Sequence, residues 1–126
     1  MFSRINTTRL LSIGLALIFL ANGIGAFVAP ENFRMLITHS FLYNRLLEFV
    51  PFYIVFIGYN DLALCFLLIN RIMPREVAWW ATVWILGVIT VFLTQGNVDG
   101  LLSALEHGAP LGIALYLALH QETKIV

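Results

Sequence analysis

Four long apolar runs, separated by short polar segments, dominate the pattern along the chain. The runs cover residues 10–28, 51–69, 77–94 and 101–119. Each approaches the roughly 20 mostly apolar residues that a helix needs to cross the hydrocarbon core of a bilayer. The pattern therefore predicts an all-α polytopic membrane protein: a four-transmembrane-helix bundle that forms a single domain over residues 1–126.

The connection between the first two runs, residues 29–50, is long for a helix bundle. Its apolar residues recur near helical spacing and are interrupted by polar ones: Phe33, Leu36, Ile37, Phe41 and Leu42, with Arg34, His39 and Asn44 between them. This pattern predicts a short interfacial helix between spans 1 and 2. Such a helix is either a surface anchor or a lid over a cavity, and the amphipathic pattern alone favours the anchor.

Basic residues predict the orientation of the spans. With four spans, the two termini and the second connection share one side of the membrane, which holds Arg4, Arg9, Arg71, Arg75 and Lys124. The other side holds only Arg34 and Arg45. The positive-inside rule then places both termini in the cytoplasm. Although Arg4 and Arg9 also resemble the start of a signal peptide, the apolar run is long for one and ends at Ala29-Pro30, so we expect it to be retained.

Composition narrows the class of protein further. Hydrophobic residues make up 60 % of the 126 positions and charged residues only 11 %, against about 25 % in an ordinary soluble domain. Seven basic and seven acidic residues give a net charge of zero, which argues against a nucleic-acid partner and leaves the lipid bilayer as the expected one. The single cysteine, Cys65, excludes an internal disulfide framework.

Polar residues inside the spans are the candidate functional residues, because an ionisable group at the centre of a bilayer costs about 2.5–3.5 kcal/mol. The candidates for a ligand-binding or proton-exchanging site are Asn22, Asn60, Asp61, Thr90, Ser103, Glu106 and His107. By the helical rise, Asn22, Thr90, Glu106 and His107 lie about 6–9 Å below the outer ends of their spans, and Asp61 lies at about 15 Å. We expect one polar layer inside the bundle, reached from outside. It is either a site or a structural hydrogen-bonded cluster.

Two details bear on the chemistry of this layer. No Lys or Arg lies at membrane depth, so either the carboxyl groups are protonated or His107 shares a proton with one of them. Pro110 leaves the backbone carbonyl of Glu106 without its usual helical partner, which predicts a kink beside the candidate residues. A metal bound by Asp61, Glu106 and His107 is an alternative, but this ligand mixture identifies no metal and we expect none.

A stripe of small residues in the fourth span predicts close helix packing. Ala104, Gly108 and Gly112 recur at intervals of four, on the side of the helix away from Glu106. We expect the stripe to meet another helix of the same chain. A homo-oligomer that uses the same residues is the alternative.

Several segments resemble the DoxX-like family of small four-helix integral membrane proteins. The resemblance lies in Arg9-Leu10-Leu11, Gly14, Phe19, Asn22-Gly23, Pro30 and Phe33, in the segment 58–64 around Asp61, and in residues 75–78. This chain has Ala26 where the family often has a lysine, and Asp61 where the family commonly has a glutamate. If that lysine normally pairs with the acid, Asn22 or His107 substitutes for it here.

The resemblance implies a bacterial inner-membrane protein. Relatives in that family include a membrane subunit of thiosulfate:quinone oxidoreductase, and similar bundles bind sterols or other lipophilic ligands. The implied function is that of a non-autonomous membrane subunit with an oxidoreductase partner, whose polar pocket holds a quinone-like head group. A lipophile binder or carrier without catalysis and a structural assembly subunit are the alternatives. We expect an accessory membrane subunit rather than a self-sufficient enzyme.

Overall fold

A computed structural model describes residues 6–40 and 49–120, and the regular structure within them is helical throughout. The helices in chain order are α1 (Thr7–Val28), α2 (Pro30–Thr38), α3 (Val50–Asn70), α4 (Pro74–Leu93), α5 (Val98–Glu106) and α6 (Gly108–His120). Three of them, and α5 with α6 taken as one run of 23 residues, are long and apolar enough to cross a membrane. The predicted all-α bundle of four spans is confirmed.

The helices begin up to three residues before the predicted spans, and in α1 and α5 polar caps extend them. The side chain of Asn6 accepts a hydrogen bond from the Arg9 backbone N–H at 3.2 Å, so α1 begins at Thr7. The side chain of Asn97 accepts from the Gly100 N–H at 2.7 Å, so α5 begins at Val98. Capping satisfies backbone N–H groups of the first turn, which an apolar run does not mark.

The fourth span is broken at His107. Helix α5 ends at Glu106, His107 forms a turn, and α6 begins at Gly108. Pro110 accounts for the break, because it has no N–H for the Glu106 carbonyl and its ring crowds that carbonyl. The predicted kink is confirmed, and it leaves a histidine at the break in the middle of a membrane-spanning segment.

The two ends of the bundle are packed differently. Away from α2, buried residues of α1, α3, α4 and α6 form one core cluster that includes Leu15, Phe19, Leu64, Ala81 and Leu117. There the Ser12 hydroxyl donates to the Leu68 carbonyl at 3.0 Å and joins α1 to α3. Among the described residues, the end of the bundle that carries α2, here called the α2 end, has a small second cluster and contains a cavity.

Helix α2 is the predicted short helix between spans 1 and 2. Other residues used in the sequence predictions, Phe41, Leu42 and Asn44 in this connection and Arg4, Arg45 and Lys124 in the charge comparison, lie outside the described residues. At the opposite end of the bundle, the Arg9 guanidinium group donates a hydrogen bond to the Ile69 backbone carbonyl at 2.6 Å. This bond caps the C-terminal end of α3 with a cation, which the helix dipole favours.

Candidate functional site

A cavity of about 520 Å³ lies at the α2 end, between α1, α2, α3, α4 and the break in the fourth span. Its wall is largely apolar and contains four aromatic residues, Phe33, Tyr53, Trp84 and Phe92. Four residues add polar side chains: Asn22, Asn32, Asp61 and His107. A mostly apolar pocket of several hundred cubic ångströms with a few polar groups is typical of small-molecule sites.

Asp61 is the most buried of the polar lining residues, with 2 % of its surface exposed. Its carboxyl oxygen Oδ1 accepts a hydrogen bond from the Asn60 side-chain amide at 3.2 Å, and Trp84 lines the same cavity. The Asn60 amide oxygen in turn accepts from the Trp80 indole N–H at 2.9 Å. Asp61 of α3 is thus connected to Trp80 of α4 through the Asn60 amide.

His107 lines the cavity from the fourth span, at the break between α5 and α6. Its Nδ1 lies 2.7 Å from the Ser103 carbonyl oxygen. Because a carbonyl oxygen only accepts hydrogen bonds, Nδ1 carries the proton of this bond. The ring packs against Phe92, with 4.9 Å between ring centroids. The histidine is therefore fixed in orientation by its own helix and by an aromatic neighbour.

Helix α2 covers the cavity. Phe33, Leu36 and Ile37 on its inner face line the wall. The Gln95 side-chain amide, in the turn between α4 and α5, donates to the Leu36 carbonyl at 2.7 Å. This geometry supports the lid interpretation rather than the surface anchor that the amphipathic pattern alone favours, because the apolar face of α2 meets protein.

The structure brings some of the sequence candidates together and separates others. Asn22, Asp61 and His107 line the cavity, and Asn60 supports Asp61 from outside it. Ser103 takes part through its backbone carbonyl, which accepts from His107. Thr90 and Glu106 are exposed on the outside of the bundle.

The single polar layer that the sequence predicted inside the bundle is thus corrected at two positions. Adjacent helical residues point about 100° apart, so Glu106 turns outward where His107 turns into the cavity. Thr90 also faces outward, and its hydroxyl donates to the Leu86 carbonyl of its own helix at 2.9 Å. Similar depth along a span does not put side chains on the same face.

The same outward position of Glu106 bears on the metal alternative. Of its three proposed ligands, Asp61 and His107 line the cavity and Glu106 does not. Within residues 6–40 and 49–120, no three His, Cys, Asp or Glu side chains are grouped so that they could hold a metal ion.

The small-residue stripe is divided in the structure. Ala104 is buried within the chain, as expected. Gly108 and Gly112 are exposed, and a Cβ atom added to either would meet nothing within 4 Å, so the expected packing inside the chain is wrong for these two. The break at His107 separates them from the buried face of Ala104. A second copy of the chain on this open face stays a prediction.

Comparisons with family models, with curated proteins and with solved structures find no match to this chain. The DoxX-like resemblance therefore stays a prediction that rests on the residues that carry it.

Sequence reasoning did not find Trp84, Asn32 or Gly87, all of which line the cavity. Trp84 and Gly87 are three positions apart on α4 and so share one helix face. A Cβ atom added to Gly87 would meet nothing within 4 Å, so the glycine leaves part of the cavity open. In an apolar span neither residue differs in type from one that faces lipid, and only the fold shows which of them face inward.

Proposed function

We propose that this chain is an integral membrane protein that binds a lipophilic molecule in the cavity under α2, with the polar head group of the ligand next to Asp61 and His107. The cavity itself carries the proposal: among the described residues it holds about 520 Å³ between apolar and aromatic side chains. The few polar groups on its wall would orient the head group, and the apolar wall would take up the rest of the ligand.

A quinone-like head group is the ligand that we propose in particular. A quinone takes up protons on reduction and its quinol releases them on oxidation, and Asp61 and His107 are groups of the cavity wall that can exchange protons. In this proposal a partner subunit supplies the electrons, and the chain acts as the membrane subunit of an oxidoreductase. The DoxX-like resemblance supports the same role. A bacterial inner-membrane location with cytoplasmic termini is proposed from that resemblance and from the distribution of basic residues.

Two alternatives use the same geometry. A lipophile carrier would bind in the same cavity without turnover. A structural subunit is favoured by one specific observation: the Asn60, Asp61 and Trp80 side chains form a hydrogen-bonded network that joins α3 to α4. In that case the polar residues would stabilise the bundle and the cavity would have no ligand.

Replacing Asp61 with asparagine separates these functions, with Glu106→Gln as the matched control. Both changes convert a carboxyl group to an amide, but Glu106 lies outside the cavity. Native mass spectrometry after extraction in mild detergent would measure any co-purifying lipophile. We expect wild type and Glu106→Gln to retain a bound quinone or lipid and Asp61→Asn to lose most of it, because an amide cannot accept hydrogen bonds through both of its polar atoms.

The outcomes are distinct. Loss of the ligand from folded Asp61→Asn supports the binding function, and loss of quinone turnover in a reconstituted complex that still assembles supports the redox role. A ligand-free wild type, together with an Asp61→Asn variant that fails to fold, would support the structural role instead. Equal retention by all three proteins would contradict a role for Asp61 in binding.

A further inference from the structure

Two polar groups on the wall differ in what they offer a ligand. The Asn22 amide and His107 Nε2 both line the cavity without a hydrogen-bond partner among the described residues. An amide both donates and accepts hydrogen bonds. An imidazole whose Nδ1 carries the proton has, as a neutral ring, only an acceptor at Nε2.

The structure fixes that tautomer of His107. The Nδ1 atom donates to the Ser103 carbonyl oxygen at 2.7 Å, and the ring is packed against Phe92. Every buried side-chain nitrogen or oxygen of the described residues has a hydrogen-bond partner. Because Nε2 has none, it is not fully buried and is accessible.

We propose that the cavity selects ligands whose head group carries a hydroxyl, a phenol or a quinol, over ligands that offer only carbonyl or ether oxygens. This inference rests on the proposed function and specifies its ligand class. A hydroxyl can donate to His107 Nε2, and its oxygen can still accept a hydrogen bond. A carbonyl or ether oxygen can accept from Asn22 but leaves Nε2 unpaired in an apolar cavity, which weakens binding.

A matched pair of probes tests the inference: a 4-alkylphenol and its methyl ether, in which a methyl group replaces the hydroxyl hydrogen. Competition measured by native mass spectrometry should show that the wild-type protein binds the phenol about tenfold more tightly than the ether. His107→Phe keeps a ring beside Phe92 and removes both nitrogens. In this variant we expect the preference to fall to about twofold, while the affinity for the ether stays within about twofold of wild type.

Nitrogen NMR of histidine-labelled wild-type protein supplies a second measurement that requires no variant. In His39 and His120, Nδ1 also lies against a backbone carbonyl of its own helix, but both residues are exposed and away from the cavity. The phenol should shift the His107 Nε2 resonance and leave His39 and His120 in place, whereas the ether should shift none of them.

Two binding results would overturn the inference and leave the proposed function standing. One is equal affinity for phenol and ether in the wild type, and the other is a tenfold preference that persists in folded His107→Phe. A His107 Nε2 resonance that does not respond to saturating phenol would also overturn it. If the wild type binds neither probe, the proposed function itself fails.

Discussion

Replacing Gly100 with alanine should lower the free energy of unfolding by about 2 kcal/mol, the middle of the range for overpacked sites. Gly100 is buried in the first turn of α5. A Cβ atom there would lie 2.5 Å from the Phe92 carbonyl oxygen and 2.7 Å from the Gln95 Cβ. Since the nearest atom belongs to the backbone, no side-chain rotation relieves the contact, and the turn between α4 and α5 must move.

Gly14→Ala and Gly112→Ala are the matched controls for this prediction. Both glycines lie within helices, and a Cβ atom at either would meet nothing within 4 Å. Alanine should leave stability unchanged or raise it by up to about 1 kcal/mol, because it restricts the unfolded chain. Unfolding in mixed micelles of increasing denaturing detergent measures all three variants. Equal stability of Gly100→Ala and the controls would show that the α4–α5 turn is not packed as described.

Filling the cavity from Gly87 should weaken binding of a lipophile at least about tenfold, equal to about 1.4 kcal/mol. Gly87 lines the cavity, and its Cβ position is open. A phenylalanine introduced there would place its ring in the space proposed for the ligand without meeting the backbone. We expect stability within about 0.5 kcal/mol of wild type, as for substitutions that disturb no existing contact.

Gly14→Phe controls for the added apolar bulk. Gly14 is exposed on α1, and its Cβ position is equally open, but it does not line the cavity. Titration of a 4-alkylphenol by native mass spectrometry should give wild-type affinity for Gly14→Phe and reduced affinity for Gly87→Phe. The prediction is wrong if both variants bind as the wild type does, or if both lose affinity equally.

The sequence predicted the architecture because bilayer-spanning helices have a strong signal in length and apolarity. It also predicted the break in the fourth span, since the effect of Pro110 on the Glu106 carbonyl is local backbone chemistry. Helix starts were less accurate: the caps Asn6 and Asn97 extend the first turns into polar sequence.

The site was predicted only in part because the sequence gives depth along a span more directly than the facing of a side chain. Asp61 and His107 do line the cavity, but Glu106, adjacent to His107, faces outward. In soluble helices the polar face is identified by its contrast with the apolar face. In a membrane span both faces are apolar, so inward residues such as Trp84 carry no distinguishing mark.

Fluorescence of Trp84 tests most directly whether the cavity takes up a lipophile. In the variant Trp79→Phe/Trp80→Phe, Trp84 is the sole tryptophan of the chain and lines the cavity. We predict that a brominated 4-alkylphenol quenches it saturably, and that adding Gly87→Phe to the same protein removes the saturable part. Weak quenching that rises linearly with the probe and is equal in both proteins would show partition into the membrane alone, and would contradict the proposed site.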